Sequence, residues 1–361
     1  MSLGVSQRLN MLWADERDFV AYRMPHDKQI IILWNDRADS LSLYNLEELN
    51  GQNGYVFAPF AISDKCPCVL LRNLHEETYP CPCSESIPAY YRIHAQEPVR
   101  SQPTEDYRHR FAVFMAALER GEFRKIVLSR KQIVENNDCP AISTFLSACR
   151  YYPGLYVYIY SSVVAGRWMG CTPELLLAGD CLSMHTIALA ATRRVGDNSE
   201  WSEKEMMEQS LVVEHIKAQL DSLRLDYIMQ GPYPLDAGHL THLRTDFRFK
   251  LSDNDHLGNI LQALHPTPAV SGSPQKTAVP FILSNEGYER RYYSGFIGRL
   301  EPAGRSDVFV NLRCINIEQE NISLYAGGGI LPTSVLEAEW QETEEKIRTI
   351  TSIPNIHVFQ Q

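Results

Sequence analysis

Hydrophobic and polar positions alternate over short stretches in the first quarter of the chain. Four segments rich in aromatic and β-branched residues are separated by polar turns, which is the pattern of strands in an antiparallel sheet. They are FVAYRM at 19–24, QIIILW at 29–34, YVFAPF at 55–60 and CVLLR at 68–72. The irregular stretch at 84–102 is predicted to link this sheet to the rest of the chain.

Beyond Pro103, helical and strand patterns follow one another. Helices are predicted at 104–121, 140–150, 202–223, 256–264, 275–285 and 334–350. Strands are predicted at 124–134, 155–161, 240–249, 306–317 and 322–326. Because helices lie at both ends of strand runs without a strict βαβ rhythm, the pattern predicts an α+β fold with large antiparallel sheets.

Composition and charge exclude some classes of function. The chain has 44% hydrophobic and 22% charged residues, which are ordinary values for a folded protein. Its net charge of -10 argues against a nucleic-acid surface, which should be basic. The sequence contains no apolar run long enough to span a membrane and no signal-peptide pattern, so we expect a cytoplasmic enzyme with no membrane partner.

The nine cysteines are an odd number, which favours reduced thiols over a disulfide framework. Cys66-Pro-Cys68 and Cys81-Pro-Cys83 could in principle offer four thiolates to zinc. Structural zinc sites usually leave two to four residues within each pair, so one intervening proline is a poor match. We expect these cysteines to lie in surface loops.

Two predicted helices each carry a pair of glutamates three residues apart, Glu205 with Glu208 and Glu339 with Glu342. Side chains at this spacing lie on one helix face. Magnesium prefers oxygen ligands and usually takes one or two protein carboxylates with a ligand oxygen. If the helices converge, a metal ion can bridge the protein and an anionic substrate; the alternative is two solvated helix faces.

The ends of the same helices carry further signals. Ser202 with Glu205, and Ser334 with Glu337, have the spacing of capping boxes. The second helix follows AGGGILPTS at 326–334, which we interpret as a glycine-rich turn. Such turns usually receive anions, because free backbone N–H groups and the helix dipole attract them.

Three charged residues lie in apolar surroundings. Strand alternation places Arg313 on the same face as Phe309 and Ile315, where it either pairs internally or grips a carboxylate. Burial would lower the pKa of Lys125, making it a usable base, and raise that of Glu174, keeping it protonated as an acid. A buried salt bridge is the alternative for each.

Together these residues resemble the chorismate-utilising enzymes, which include isochorismate, salicylate, anthranilate and aminodeoxychorismate synthases. The resemblance covers roughly residues 103–355 and rests on eight segments in the family's order. They are FRKIVLSR at 123–130, GCTPELLL at 170–177, HTIALAATRR at 185–194, EKEMMEQSLVVEHI at 203–216, LHPTPAVSGSP at 264–274, RRYYSGFIG at 290–298, VNLRCINI at 310–317 and AGGGILPTSVLEAEWQETEEK at 326–346.

This resemblance implies one large α+β domain over residues 1–361, in which two antiparallel sheets pack together with helices outside. Residues 1–102 would be its variable, sheet-rich part and 103–355 its catalytic core. It also implies Mg²⁺ on the ring carboxylate of chorismate, held by Glu208 and Glu339 with support from Glu205 and Glu342. Residues implied to contact the substrate are Ala191, Thr192, Ala269, Tyr293, Arg313, Gly327, Gly328, Gly329 and Lys346.

Lys125 bears on the reaction. Family members that use ammonia generally lack a lysine at this place, whereas those that use water have one, so no glutamine amidotransferase subunit is expected. The resemblance implies that Lys125 deprotonates water for attack at C2 while Glu174 protonates the departing C4 hydroxyl. The aminodeoxychorismate branch uses a nucleophilic lysine where this chain has Ala190, and Ala269 within LHPTPAVSG resembles the isochorismate synthases.

Two positions depart from the family pattern. Its usual Gly-Thr-Arg is Ala191-Thr192-Arg193 here, and its usual histidine after the metal glutamate is Gln209. In the family that histidine is a candidate for orienting the lyase step that yields salicylate, so its absence favours a product that stops at isochorismate.

The sequence therefore predicts an isochorismate synthase acting for menaquinone or siderophore synthesis. The alternatives are a bifunctional salicylate synthase and a non-catalytic paralogue that binds chorismate. Retention of both Lys125 and Glu174 speaks against the silent paralogue, since a pure binder needs neither.

Overall fold

The structure is a computed structural model that describes residues 4–82, 101–252 and 255–353 of the chain. The predicted linker at 84–102 lies almost entirely outside these residues, and so does Cys83.

Strands of the described residues form two sheets of nine strands each, and every pair of neighbours is antiparallel. The first sheet has the order β14 (Gly272–Ser273), β7 (Lys125–Glu135), β18 (Asn321–Ile330), β17 (Cys314–Ile317), β9 (Gly166–Thr172), β8 (Tyr156–Ser162), β1 (Phe19–Arg23), β2 (Gln29–Trp34) and β6 (His75–Pro80). The second has the order β12 (Tyr227–Ala237), β13 (Leu240–Phe249), β11 (Ser183–Arg194), β10 (Leu175–Asp180), β16 (Ser306–Val310), β15 (Phe296–Leu300), β4 (Gly54–Ala58), β5 (Cys68–Leu71) and β3 (Ser40–Leu43).

Seven α-helices accompany the sheets in the described residues. They are α1 (Val5–Ala14), α2 (Glu105–Glu119), α3 (Ala141–Tyr151), α4 (Glu203–Ser222), α5 (Leu257–Leu264), α6 (Gln275–Asn285) and α7 (Leu336–Thr351), with short 3₁₀ turns at Arg37–Asp39 and Leu46–Leu49. Among the helices that the structure describes, none combines the length and apolar character needed to cross a membrane.

Local capping explains where two helices begin. The Thr104 hydroxyl accepts the Tyr107 N–H at the start of α2, and the predicted box of Ser202 with Glu205 caps α4. The box predicted for α7 is wrong. Its Ser334 hydroxyl accepts the Leu331 N–H instead, and α7 begins at Leu336 without a side-chain cap.

Four hydrophobic clusters of the described residues hold this α+β domain together. An aromatic layer lies between the sheets, where Phe57 of β4 stacks on Tyr292 and Tyr156 of β8 stacks on Phe309 of β16. The outer face of the first sheet is covered by α1 and α3 and, over β7 and β18, by α2 and α6; that of the second sheet is covered by α4 and α5. The central strands of both sheets therefore bury both faces and are hydrophobic runs, whereas the edge strands β6 and β12 are largely exposed.

The four N-terminal strands are confirmed, but the prediction that they form one sheet is wrong. Strands β1 and β2 extend the first sheet through the pairing of β1 with β8. Strands β4 and β5 extend the second through the pairing of β4 with β15. Alternation of residues predicts a strand but not its partner, because pairing is a long-range contact.

The strand predicted at 306–317 is broken. Its halves, β16 and β17, belong to different sheets, and Arg313 lies between them with a φ of 48°. Arg313 therefore does not share a strand face with Phe309 and Ile315, as alternation predicted. Those two side chains belong to separate hydrophobic layers, and the break turns Arg313 into the space between the sheets' ends.

The three glycines at 327–329 are not a turn but the last part of β18, which pairs with β7. Their role is to let other groups approach the strand. A Cβ atom on Gly329 would lie 2.3 Å from Glu208 Oε1 and 2.4 Å from Lys125 Cε. Real Cβ contacts are never this short, so the sequence needs glycine here for space and not for a left-handed backbone.

The three described cysteines of the two CPC units, Cys66, Cys68 and Cys81, are buried, so the expectation of surface loops is wrong for them. Cys66, Cys68 and Cys81 pack in three different hydrophobic clusters. Burial raises the pKa of Cys66 to about 11. Within the described ranges, these thiols serve as small core side chains and are not gathered in one place for zinc.

Replacing Gly329 with alanine should lower the free energy of unfolding by about 1–3 kcal/mol, because the methyl group overlaps Glu208 and Lys125. Denaturant unfolding measures this change. Gly154→Ala is the matched control: its Cβ would come no closer than 3.5 Å to His26, an ordinary contact, so a change within about 0.5 kcal/mol is expected. Equal effects at the two positions would contradict the packing argument.

Candidate active site

A cleft lies where the two sheets diverge, between β7 and β18 on one side and β11 and β13 on the other. The predicted site residues that line it are Glu174, Ala191, Thr192, Glu208, Ala269, Tyr293, Arg313, Gly327, Gly329 and Lys346.

The remaining predicted residues lie behind or beside this wall. Lys125 is fully buried behind Glu208. Glu339 and Glu342 meet over Gly328, each with a carboxylate oxygen within 4 Å of the position of its missing Cβ. Glu205 faces its own helix end, where one carboxylate oxygen accepts the backbone N–H and the hydroxyl of Ser202.

Lys125 and Glu208 form an ion pair that crosses the molecule from β7 to α4. Lys125 Nζ lies 2.9 Å from Glu208 Oε1. Burial alone would raise the pKa of Glu208, but the ammonium groups of Lys125, Lys346 and Lys204 outweigh it and hold that pKa below its ordinary value. Glu208 is therefore a carboxylate at neutral pH, facing the cleft.

Glu174 lies between β9 and β10 with 4% of its surface exposed. Burial raises its pKa to about 7, against the opposing influence of Lys125, so the expected rise is confirmed. The Thr267 hydroxyl is 3.4 Å from Glu174 Oε1, and the Glu174 carbonyl accepts the Val310 N–H. The cleft thus contains a carboxyl group that can hold a proton near neutral pH.

Arg313 is buried, and among the described residues no carboxylate lies within 4 Å of its guanidinium. One nitrogen donates to His242 Nε2 at 3.0 Å, and another to the Thr349 hydroxyl at 3.2 Å. A buried guanidinium supported only by neutral groups retains most of its affinity for an anion in the cleft.

His242 is a cleft residue that the sequence analysis missed. Its Nδ1 lies 2.7 Å from the Ala191 carbonyl, which can only accept, so Nδ1 carries the hydrogen and Nε2 accepts from Arg313. Burial, reinforced by Arg313, lowers the pKa of His242 well below its usual value. The neutral ring therefore fixes the orientation of Arg313. No local motif marks it, because its partners are distant in sequence.

Ala191, where the family has glycine, lies in a β-bulge of β11 with a φ of 57°. This left-handed conformation suits glycine and costs other residues roughly 1–2 kcal/mol. The backbone has therefore kept the shape that glycine would give it, with the methyl group added to the cleft wall.

Gln209, the second departure from the family pattern, points away from the cleft. Its amide nitrogen donates to the Ala188 carbonyl at 3.2 Å and to the Thr245 hydroxyl at 3.1 Å. Gln209 thus fastens α4 to β11 and β13.

A buried ion pair of Glu286 with Arg290 anchors the β7 side of the cleft and the loop at Val270. Glu286 accepts the N–H and hydroxyl of Ser129 on β7, both at 2.7 Å. Arg290 donates to the Val127 and Val270 carbonyls at 3.0 Å and 2.6 Å, and both valines line the cleft. Sequence reasoning also missed this pair, although its i,i+4 spacing is visible in the chain.

Glu339 and Glu342 bring two carboxyl groups close together beside the cleft. Burial, together with Glu342, raises the pKa of Glu339 to about 7. Lys204 Nζ donates to Glu339 Oε1, and Lys346 Nζ donates to Glu342 Oε1 at 2.7 Å. Glu339 Oε2 is buried and has no hydrogen-bond partner among the described residues.

These carboxylates fit a divalent cation in chemistry, since an unpartnered buried carboxylate oxygen calls for a positive ligand. Glu208, Glu339 and Glu342 are the residues that would hold it. As they stand, each pairs with its own lysine, and nowhere in the described ranges do three acidic, histidine or cysteine side chains close around one point.

Known proteins are similar to this chain in sequence. The isochorismate synthase EntC of Escherichia coli K12 is 30% identical over 203 residues, covering 53% of this chain and 52% of that protein. The isochorismate synthase DhbC of Bacillus subtilis is 29% identical over 266 residues, covering 68% and 67%. The chain thus spans about half the length of the first of these relatives.

A solved structure has the same fold. MenF, the menaquinone-specific isochorismate synthase from Escherichia coli, superposes with a TM-score of 0.73 at 22% identity, over 93% of this chain and 88% of that one. Residues 72–353 also match the family model described as chorismate binding enzyme. This match covers the cleft, the helices that bear the glutamates and strands β6 to β18, but not β1 to β5. The chain belongs to the chorismate binding enzyme family.

Proposed function

We propose that the protein is an isochorismate synthase, which converts chorismate to isochorismate with the help of Mg²⁺. The observation that carries the proposal is the placement of a buried lysine and a protonatable glutamate at one cleft: Lys125 behind Glu208, and Glu174 with a pKa of about 7. Relatives named isochorismate synthase support the choice within the family.

The reaction requires one base and one acid. Lys125 rests in an ion pair with Glu208, so it must first release a proton; the neutral amine then accepts a proton from water as the water oxygen bonds to C2 of the ring. The ring double bonds shift, the C4–oxygen bond breaks, and Glu174 protonates the departing hydroxyl, which leaves as water. The reaction is balanced, because one water molecule is added and one is released. Glu208 stabilises the ammonium that forms on Lys125, since it lies 2.9 Å away.

We assign the orientation of the substrate to the other charged and polar groups of the cleft. Arg313, held by His242, offers paired donors for the enolpyruvyl carboxylate, with Tyr293 and Lys346 on the same wall. A Mg²⁺ ion held by Glu208, Glu339 and Glu342 would neutralise the ring carboxylate and fix its position. Glu205 contributes less in this assignment, because it is engaged in capping α4.

The product should stop at isochorismate, in a cytoplasmic enzyme without an amidotransferase partner, serving menaquinone or siderophore synthesis. A bifunctional salicylate synthase would also release pyruvate. Product analysis separates the two, and it also exposes a paralogue that binds chorismate without converting it.

Purified protein incubated with chorismate and Mg²⁺ should form isochorismate without pyruvate, as resolved by chromatography. Lys125→Ala and Glu174→Gln should each lower kcat by about 10²–10⁴-fold, because each removes one proton transfer. Lys217→Ala and Glu119→Gln change exposed residues of the same types and should keep wild-type rates. Salicylate with equal pyruvate would assign the other activity, and near-normal turnover of either site variant would refute its role.

The rate should depend on the proton of Glu174. Because its pKa is raised to about 7, the acid form prevails below that pH and is lost above it. At saturating Mg²⁺, kcat/KM should therefore fall about tenfold per pH unit above pH 7. The residual rate of Glu174→Gln should lack this limb. A wild-type profile that is flat from pH 6 to pH 9 would contradict the assignment.

Glu208→Gln should raise the Mg²⁺ concentration for half-maximal activity by about 10–100-fold, since a carboxylate ligand becomes a neutral amide. Glu205→Gln is the matched comparison on the same helix. It keeps a capping side chain, so its effect on the Mg²⁺ titration should be smaller. Unchanged titrations for Glu208→Gln would remove it from the metal site.

A further inference from the structure

Lys204 is a charged residue beside the cleft to which the proposed mechanism gives no role. It lies in the first turn of α4 and reaches across to Glu339 on α7. Its side chain is 29% exposed, whereas that of Glu339 is 1% exposed. The contact therefore joins the two helices that carry the predicted metal glutamates.

The three lysines of this region are held differently. Lys125 is completely buried, and Lys346 donates to both Glu342 and the Gly327 carbonyl, at 2.7 Å and 2.8 Å. For Lys204, Glu339 is the one hydrogen-bond partner within the described part of the chain. A lysine with a flexible stem, partial exposure and a single partner can leave that partner without unfolding anything.

Glu339 itself is only half satisfied. Lys204 holds Oε1, while Oε2 is buried without a partner among the described residues and faces the same glycine position as Glu342. A divalent cation on these oxygens would face the Lys204 ammonium at short range. Like charges this close repel strongly in a partly buried site. The ammonium and the metal ion therefore cannot both bind Glu339 tightly at the same time.

On the basis of the proposed function, we infer that Lys204 competes with the metal ion for Glu339. Its ammonium neutralises Glu339 and links α4 to α7 until a divalent cation binds, and it moves toward solvent when the cation takes its place. Lys204 thereby sets the metal affinity of the site without touching the reacting atoms of the substrate, which makes it a positioning residue.

The test is direct binding of Mg²⁺, added as the chloride without chorismate and followed by isothermal titration calorimetry. In Lys204→Met the Kd for Mg²⁺ should fall about tenfold, because the competing charge is gone. The thermal midpoint without added metal should also fall, because Glu339 and Glu342 lose a counter-charge, and added Mg²⁺ should restore it. Lys204→Arg keeps the charge and should keep a Kd at or above the wild-type value.

Lys217→Met is the control, since it removes an exposed positive charge from the same helix about 20 Å away. Its Kd should equal that of the wild type. If Lys204→Met does not fold by circular dichroism, Lys204→Gln, which keeps a neutral donor, replaces it with the same expectation.

The outcomes separate this inference from the proposed function. A wild-type protein that binds Mg²⁺ and converts chorismate, with Lys204→Met binding no more tightly, overturns the inference alone. A wild-type protein that converts chorismate but binds no Mg²⁺ overturns the metal assignment and the inference with it. Tighter binding together with a lower midpoint in Lys204→Met supports it.

Discussion

Burial of charge is the constraint on which this cleft depends. Lys125, Glu174, Arg313 and Glu339 are each at most 5% exposed, and a charge removed from water must be paired or neutralised. Lys125 lies in an ion pair, Glu174 retains a proton, Arg313 is supported by a neutral histidine, and Glu339 is bridged by a lysine. Because the partners come from different sheets and helices, satisfying the charges also fixes where those elements lie.

Strand β18 shows how backbone and side chains share this space. Its three glycines have no side chains. Glu208 and Lys125 can therefore come close to the backbone at Gly329, and Glu339 and Glu342 can come close to it at Gly328. The Glu286–Arg290 pair then holds the neighbouring strand β7 and the loop at Val270 in register with them. The cleft is thus built on rigid strands, and its charged groups are brought in from helices around them.

Much of this could be predicted from the sequence, because periodicity and motif order are local. The nine strand segments named from the sequence, the long helices and the α+β fold follow from periodicity, and the residues of the cleft wall follow from the order of the family motifs. Eight of the described strands were not predicted, among them β9, β10 and β11 beside the cleft. Other features are long-range. The predicted alternation continues past Arg313, although the chain changes sheets there. The glycines at 327–329 form a strand and not a turn, because β7 lies beside them. The Ser334 hydroxyl accepts the Leu331 N–H and so does not form the predicted capping box with Glu337. His242 and Lys204 carry no signature in the chain, since each acquires its role from a partner more than 50 residues away.

The strands before residue 82 occupy the far edges of both sheets, distant in the strand order from β7, β18 and β11. These strands do not form the cleft, but both sheets depend on them. Removing them would uncover β8 and β15 together, two apolar strands with unpaired backbone groups. Such edges pair with one another between molecules, so these N-terminal strands protect the fold against aggregation.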